Sequence, residues 1–196
     1  MTDRHGLLAV IAGPSGVGKG TVHTRVREAL PDSVLSVSVT TRPPRSGEHD
    51  GVDYRFVDDA TFDRLVSDGE LLEWAEYAGN RYGTPRTPAL EAVEAGLVVV
   101  LDIELQGALQ VKERHPDALL VFLVPPSFEE LERRLRARGT EDPDAIARRL
   151  EWARRELAAG HRFDVEVVND DLDRCVDEVL RILDEARRRG ADAATG

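Results

Sequence analysis

The sequence is poor in cysteine and in long apolar runs, and each scarcity excludes a class of protein. Cys175 is the only cysteine among 196 residues, so the chain can form no internal disulfide and carries no CxxC metal-binding pair. The first apolar run, residues 7–12, is too short for a signal-peptide core or a membrane span. No later segment approaches transmembrane length. We therefore expect a soluble, cytoplasmic protein.

The composition is that of an acidic chain with enough apolar material for a folded core. Hydrophobic residues make up 41% and charged residues 32% of the sequence, a balance typical of a globular domain and not of a disordered chain. The formal net charge of -11 repels nucleic acid, which disfavours a general DNA- or RNA-binding role. The histidines are scattered without the spacing of a metal site or a catalytic triad, and we assign them no catalytic role.

Short apolar segments alternate with amphipathic helical segments along most of the chain. This alternation predicts an α/β fold with a parallel sheet covered by helices on both faces, and ligands at the carboxyl ends of its strands. Strands are predicted at residues 7–12, 34–39, 96–104, 118–124 and 165–168. Helices are predicted at residues 20–30, 88–95, 105–114, 127–137, 145–158 and 172–188, and the tail after Arg187 is expected to fray.

Two segments interrupt this alternation. Between residues 52 and 82, DYRFV and ELLEWAEYAG resemble strands around a short helix in ATFDRLVSDG, which predicts a small inserted lobe. Further along, RGTEDPDA at residues 138–145 is predicted to be a flexible loop.

A glycine-rich turn follows the first predicted strand. It matches the first seven positions of the phosphate-binding GxxxxGK[ST] loop, in which backbone N–H groups, a helix start and a lysine face phosphate oxygens. The matching residues are Gly13, Pro14, Ser15, Gly16, Val17, Gly18 and Lys19. The eighth position is Gly20, which lacks the hydroxyl that usually reaches Mg²⁺, and Thr21 comes next. The metal contact is therefore expected to be indirect or to be made by Thr21.

Asp102 lies at the end of the strongly apolar strand in GLVVVLDIE. This is where a carboxylate of a phosphate-loop protein reaches Mg²⁺ or its water ligands. Strands also end in aspartate without any ligand, so the position alone leaves both interpretations open. Thr21 and Asp102 are the two candidates for the metal site.

The sequence resembles the guanylate kinases over nearly its whole length. Four blocks carry the resemblance: GPSGVGKG, SVSVTTRPPRSGEHDGVDY, LLEWAEYAGNRYGTP and LDIELQGA, and RLRARGTED…RRL supports it. The resemblance implies a phosphate-loop NTPase fold in one domain. Its core would comprise residues 1–39, 87–135 and 147–190, with a GMP-binding lobe at about 40–86 and a lid at about 136–146.

The resemblance also implies that GMP binds in the inserted lobe. Arginine forks match phosphate geometry, and Arg42 and Arg45 lie three positions apart in a proline-rich loop. Guanine presents two donors, N1–H and the N2 amine, beside the O6 acceptor, so a carboxylate and a hydroxyl complement it. The residues implied for GMP are Arg42, Arg45, Glu48, Tyr54 and Tyr82 around its phosphate, Glu73 and Glu104 at the guanine donors, and Ser38 and Thr84 at O6. Many family members carry the shorter Asp at the position of Glu104.

Eight arginines cluster between residues 133 and 155. Without the resemblance, most of them are interpreted as a solvated helix face. The family pattern selects Arg134, Arg138 and Arg149 to close on the ATP phosphates, with Arg138 also placed against the adenine. Asn169 in VVNDD corresponds to an adenine-side contact.

Together these features predict an enzyme that transfers the γ-phosphoryl group of ATP to GMP, giving ADP and GDP in purine nucleotide metabolism. Lys19, Mg²⁺ and the lid arginines are expected to stabilise the migrating phosphoryl group, while Arg45 holds the acceptor phosphate. GMP and ATP are the expected partners of a monomer or homodimer, with no nucleic acid and no membrane.

Three alternatives stay open at this point. A related kinase could use another acceptor, such as AMP or a phosphorylated sugar, but Glu73 and the TTRPPR block disfavour it. Guanylate-kinase-like domains also serve as peptide-binding modules of scaffold proteins, although their phosphate loops are usually degraded and this loop is nearly intact. The third alternative is a regulatory nucleotide-binding protein without turnover, which only Gly20 favours.

Overall fold

The computed structural model describes residues 5–77, 79–137 and 143–195, and strands alternate with helices through these ranges. The strands are β1 (Leu7–Ala12), β2 (Ser33–Leu35), β3 (Val39–Thr40), β4 (Arg55–Phe56), β5 (Leu71–Tyr77), β6 (Asn80–Pro85), β7 (Val98–Leu101), β8 (Leu119–Val124) and β9 (Val165–Val168). The helices are α1 (Lys19–Ala29), α2 (Asp59–Ser67), α3 (Arg86–Glu94), α4 (Leu105–Arg114), α5 (Phe128–Ala137), α6 (Pro143–Ala158) and α7 (Leu172–Thr195), and a short 3-10 helix lies at Gly160–Arg162. None of the helices in these ranges has the length and apolar character needed to cross a membrane.

Five parallel strands form the core sheet, in the order β2–β7–β1–β8–β9. The central strand β1 is buried at all six residues, because helices cover both faces of the sheet. Successive side chains enter different hydrophobic clusters: Ile11 packs with residues of α1, α5 and α7, whereas Val10 packs with residues of α3 and α4. The predicted α/β fold with a parallel core sheet is confirmed.

A second sheet is inserted between β2 and β7 in the chain and has the order β4–β3–β6–β5. Strand β6 runs antiparallel to both β3 and β5, and β3 pairs in parallel with β4. Helix α2 contributes the fully buried Phe62, which packs with Val39 and Leu71. Asp58 caps this helix by accepting a hydrogen bond from Thr61 N–H at 2.8 Å. The second sheet therefore has a small hydrophobic core of its own.

Two strand assignments differ from the sequence-based prediction. The single strand predicted at residues 34–39 is divided, because β2 pairs with β7 in the core sheet while β3 pairs with β6 in the second sheet. The chain changes sheets between them. The sequence pattern does not predict β6, since NRYGTP is polar and lacks the alternation of apolar and polar residues. This segment forms a strand because it pairs with β5 and β3.

Helix α7 continues to Thr195, beyond the predicted helix end at Arg188. The Arg187 guanidinium anchors this helix, because it donates to Asp32 Oδ2 at 2.8 Å, to His5 O at 3.0 Å and to Gly96 O at 3.0 Å. One side chain thus joins the helix to three separate segments of the core.

The loop predicted at residues 138–145 lies partly outside the described ranges. Helix α5 ends at Ala137, and α6 already begins at Pro143, two residues earlier than the prediction. Proline suits the first helical position because the N–H that it lacks would have no partner in the helix.

Candidate active site

The glycine-rich turn joins β1 to α1 at the carboxyl end of the central strand. Gly18 adopts φ +103° directly before α1, a left-handed conformation, and an added Cβ would lie 2.6 Å from Asn169 Nδ2. At Gly13 an added Cβ would lie 2.5 Å from Leu123 O. Lys19 begins the helix, and its Nζ donates to Gly13 O at 2.5 Å. The lysine and the first N–H groups of α1 are therefore gathered at one place, as phosphate binding requires.

Two residues predicted to contact ATP support the backbone of this loop. Asn169 Nδ2 donates to Val17 O at 2.7 Å, and Arg134 Nη1 donates to the same oxygen at 3.3 Å. Arg134 Nη2 also donates to Asn169 O at 3.0 Å, and its Nε donates to Glu130 Oε1 at 2.8 Å. Both side chains thus lie at the phosphate loop and orient it, while their direct contacts with ATP stay a prediction.

A cavity of about 270 Å³ opens between the second sheet and the end of β7. Eight of the nine residues predicted to bind GMP line it, namely Ser38, Arg42, Arg45, Glu48, Tyr54, Glu73, Tyr82 and Glu104. The ninth, Thr84, is buried beside Glu73. The fold therefore assembles this set from separate segments into one cavity, which we call the acceptor cavity.

The paired arginines lie at one end of the acceptor cavity. Arg42 is nearly buried, with Nη2 donating to Glu48 Oε1 at 2.8 Å and the guanidinium 5.3 Å from the centre of the Tyr54 ring. Glu48 Oε2 accepts from Arg45 N–H at 2.7 Å, so one carboxylate orders the arginine loop. The Arg42–Glu48 hydrogen bond lowers the pKa of Glu48 and raises that of Arg42. Arg45 has an exposed side chain that lines the cavity, which places positive charge at this end.

A buried carboxyl group lies toward the other end, because Glu73 pairs with Thr84 on β6, two positions along the strand from Tyr82, whose ring lies 6.0 Å from that of Tyr54. Glu73 on β5 is 3% exposed, and Thr84, its partner on β6, donates its hydroxyl to Glu73 Oε1 at 2.7 Å. Burial raises the pKa of Glu73 to about 7, because desolvation disfavours the charged form more than the Thr84 hydrogen bonds favour it. A ligand that offers two adjacent N–H donors would favour the ionised form. This end of the cavity therefore has the chemistry that complements the donor edge of guanine.

Asp102 follows β7 and borders two cavities. Its exposed carboxylate lines the acceptor cavity and a neighbouring cavity of about 170 Å³ that Gly20 also lines. The buried His23 lies behind it, with Nε2 3.6 Å from Asp102 Oδ1, and burial lowers the pKa of this histidine. Thr21 is exposed on α1 and is not among the described residues that line either cavity. Asp102 is therefore the metal candidate that faces both cavities.

Tyr77 and Glu156 belong to the site although the sequence does not predict them. Tyr77 ends β5 and lines the acceptor cavity. The carboxyl group of Glu156 on α6 contacts the Glu104 carboxyl group and the backbone N–H of Ser15 in the phosphate loop. Burial and the neighbouring Glu104 raise the pKa of Glu156 to about 7. The local pattern of α6 does not distinguish Glu156 from other helix glutamates, so no sequence signal could have found it.

The three predicted lid arginines differ in their placement. Arg134 supports the phosphate loop, as described above. Arg149 on α6 is half-buried and lies near Tyr77, where it partly offsets the rise in the pKa of Tyr77 that burial causes. Arg138 lies outside the described residues.

Several known proteins with high similarity to this chain are guanylate kinases. The guanylate kinase family profile matches residues 6–186. The guanylate kinase of Thermobifida fusca is 60% identical over 181 residues, which cover 92% of each chain. The guanylate kinase of Streptomyces kasugaensis is 57% identical over 92% of this chain and 88% of the relative. A crystal structure of guanylate kinase from Anaplasma phagocytophilum is similar with a TM-score of 0.78 and 37% identity, covering 95% of this chain and 89% of that one.

Proposed function

The chain belongs to the guanylate kinase family, and we propose that it transfers the γ-phosphoryl group of ATP to GMP, giving ADP and GDP. The observation that carries this proposal is the acceptor cavity, which has paired arginines at one end and a buried carboxyl group at the other. The two ends match the phosphate and the base of one nucleotide. A phosphate loop with Lys19 at its end supplies the site for the second nucleotide.

GMP would bind with its phosphate at the arginine end of the cavity. Arg45 and Arg42 neutralise that phosphate, Glu48 keeps the loop in place, and Tyr54 and Tyr82 add hydroxyl groups. At the other end, the carboxyl groups of Glu73 and Glu104 accept from the guanine donors, while the hydroxyls of Ser38 and Thr84 face O6.

ATP would bind with its phosphates at the loop of residues 13–21. Phosphoryl transfer depends on positioning and charge neutralisation, with little covalent work for the protein. Lys19 supplies a positive charge at the loop, and the lid arginines 134, 138 and 149 add further charge, while Asn169 lies on the adenine side. We propose that closure of the lobe at 40–86 and the lid at 136–146 excludes water, which prevents hydrolysis of ATP.

Asp102 fits a Mg²⁺ site between the two substrates. Its carboxylate is an exposed oxygen donor on the border of both cavities. Mg²⁺ usually keeps several waters and takes only one or two carboxylates together with substrate phosphates. Gly20 leaves room for such waters, because an added Cβ there would meet nothing within 4 Å. When bound, Mg²⁺ neutralises charge on the β- and γ-phosphates; Thr21 is the second candidate for holding it.

Initial rates with ATP and each of GMP, AMP, CMP and UMP, measured as ADP release, test the function. We expect GMP to exceed AMP by about 10⁴-fold in kcat/KM, since a site that hydrogen-bonds a substrate group rejects analogues that lack it. A higher rate with another acceptor would overturn the assignment of GMP. Binding of ATP without turnover of any acceptor would instead indicate a regulatory nucleotide-binding protein.

We further propose that the protein acts in the cytoplasm on these two small substrates, as a monomer or homodimer. The net charge of -11 supports the absence of a nucleic-acid partner. Light scattering of the purified protein gives the oligomeric state.

A further inference from the structure

Helix α4 holds the outer edge of β5, the strand that carries Glu73. Strand β5 is an edge strand of the second sheet. One of its sides pairs with β6, and the other side is the outer edge of the sheet. Gln110 bonds to this edge twice: Nε2 donates to Trp74 O at 2.7 Å, and Oε1 accepts from Trp74 N–H at 3.3 Å. Arg114 Nη1 donates to Leu72 O at 2.8 Å. These bonds fix the backbone on both sides of Glu73.

Gly107, one turn before Gln110 on α4, lies against the side chain of Glu73. Gly107 is buried, and an added Cβ would lie 2.2 Å from Glu73 Oε2 and 2.9 Å from Glu73 Cδ. Both distances are far inside van der Waals contact. Any other residue at this position must therefore displace either the carboxyl group or the helix. Helix stability does not explain the glycine, because glycine is a poor helix former in a helix interior.

We propose that Gly107 and Gln110 are positioning residues for recognition of the acceptor base. Gly107 leaves the space that the Glu73 carboxyl group occupies, and Gln110 fixes the strand that carries it. The base-reading carboxyl group is then positioned by a helix that packs on the core sheet as well as by its own sheet. This inference rests on the proposed function, because it takes Glu73 as the residue that binds guanine.

A purely structural role for Gly107 predicts a different outcome. If Gly107 only allowed α4 to pack against β5, its replacement would lower the melting temperature without changing which nucleotide is used. A positioning role predicts a selective loss in the use of GMP. The measurements that separate the two are KM and kcat for GMP, the GMP-to-AMP ratio of kcat/KM, Kd for a non-hydrolysable ATP analogue, and Tm.

The first variant is Gly107→Ala. We expect KM for GMP to rise at least about tenfold and the GMP-to-AMP ratio to fall, because the carboxyl group loses its alignment with the guanine donors. Kd for the ATP analogue should stay within about twofold, since the atoms nearest to the added Cβ belong to Glu73 and not to the phosphate loop. The matched control is Gln106→Ala, which alters the exposed preceding position of the same helix and should leave all these values within about twofold.

Shortening Glu73 tests the collision itself. Aspartate has a shorter side chain, so in Glu73→Asp the carboxyl oxygens lie farther from the Cβ added at position 107, which in the wild type would be 2.2 Å from Glu73 Oε2. The factor by which Gly107→Ala raises KM for GMP should therefore be at least about fivefold smaller in the Glu73→Asp background than in the wild type. Equal effects in the two backgrounds would overturn the proposal. If Gly107→Ala alone does not fold, folding of the double variant supports the collision, and failure of both to fold counts against it.

Gln110→Leu removes both bonds to Trp74 and should raise KM for GMP about threefold or more without changing Kd for the ATP analogue. Its control is Gln106→Leu. If the wild type shows no preference for GMP, the proposed function is wrong whatever the variants do. If the wild type prefers GMP but Gly107→Ala and Gln110→Leu keep its KM and its GMP-to-AMP ratio, this inference alone is wrong.

Discussion

The phosphate loop and the acceptor cavity are built in different ways. The loop is one continuous turn between β1 and α1, and it presents backbone N–H groups and one lysine. The acceptor cavity instead collects side chains from β5, β6, the arginine loop and the end of β7. Every nucleotide carries phosphate, whereas the base must be read by individual side chains. Changes in the loop should therefore reduce turnover with every acceptor, and changes in the cavity should alter which acceptor is used.

Removal of Lys19 should have the largest effect. Lys19→Ala is expected to lower kcat at least about a hundredfold, because it removes charge that stabilises the transition state. The GMP-to-AMP ratio should stay unchanged, and steady-state kinetics with both acceptors measures this. The control is Lys112→Ala, which removes the other lysine; Lys112 bonds to Ala118 O and Asp164 outside the acceptor cavity. Activity of Lys19→Ala within a few-fold of wild type would contradict the role of Lys19.

Glu73→Gln should change the choice of acceptor instead. The variant keeps the shape of the side chain but loses the charge and turns one acceptor into a donor. Loss of a charge-assisted hydrogen bond costs roughly 1.5–3 kcal/mol, which corresponds to about 10- to 150-fold in kcat/KM for GMP. AMP should lose much less, so the ratio of kcat/KM for GMP to that for AMP should fall. An unchanged ratio would show that Glu73 does not read the base.

Asp102 lies on the border between the phosphate loop and the acceptor cavity. Its replacement therefore tests whether one metal ion serves both regions. In Asp102→Asn we expect the Mg²⁺ concentration for half-maximal rate to rise about tenfold. Thr21→Ala should have a smaller effect, since Thr21 is exposed on α1. A titration of rate against Mg²⁺ checks both variants. If neither variant changes the Mg²⁺ dependence, the assignment of the metal site to these two residues is wrong.

The pH dependence of GMP binding should include a contribution from the buried carboxyl group of Glu73. In the free protein Glu73 has a pKa raised to about 7 by burial, and GMP binds the ionised form. Affinity should therefore be complete only well above pH 7 and should decline as the pH falls through about 7, by at most about tenfold per pH unit for one proton. Calorimetry at several pH values measures Kd. Titration of the GMP phosphate also contributes, and Glu73→Gln retains only that part. Parallel profiles for the two proteins would contradict the raised pKa.

The sequence predicts those features whose signals are local. The phosphate loop, the apolar strands of the core sheet and the amphipathic helices each occupy one contiguous segment, and their bounds agree with the structure within a few residues except at the end of α7. The predicted strand at residues 34–39 is wrong because strand periodicity cannot show that a chain changes sheets. Strand β6 has no apolar alternation, so only its pairing partners reveal it.

The candidate site shows the same difference between features with local sequence signals and features that depend on contacts between distant segments. The eight cavity-lining residues come from the family resemblance, since their positions in the sequence alone do not show that they converge. Residues that act through distant contacts are missed: His23 behind Asp102, Glu156 against Ser15, and Gly107 against Glu73. Each of these contacts joins segments far apart in the chain, and each depends on the packing of a helix that no local pattern specifies.

The hydrogen bonds to Val17 O have a kinetic consequence. A carbonyl oxygen has two lone pairs, and here Asn169 and Arg134 each donate to it. These hydrogen bonds come from the protein itself, so ATP has little loop backbone left to order when it binds. The acceptor cavity is likewise held by internal hydrogen bonds, from Arg42 to Glu48 and from Thr84 to Glu73, so neither substrate has to create the site of the other. We expect the two substrates to add in random order, and initial-rate patterns with a dead-end inhibitor for each site would reveal an obligatory sequence if one existed.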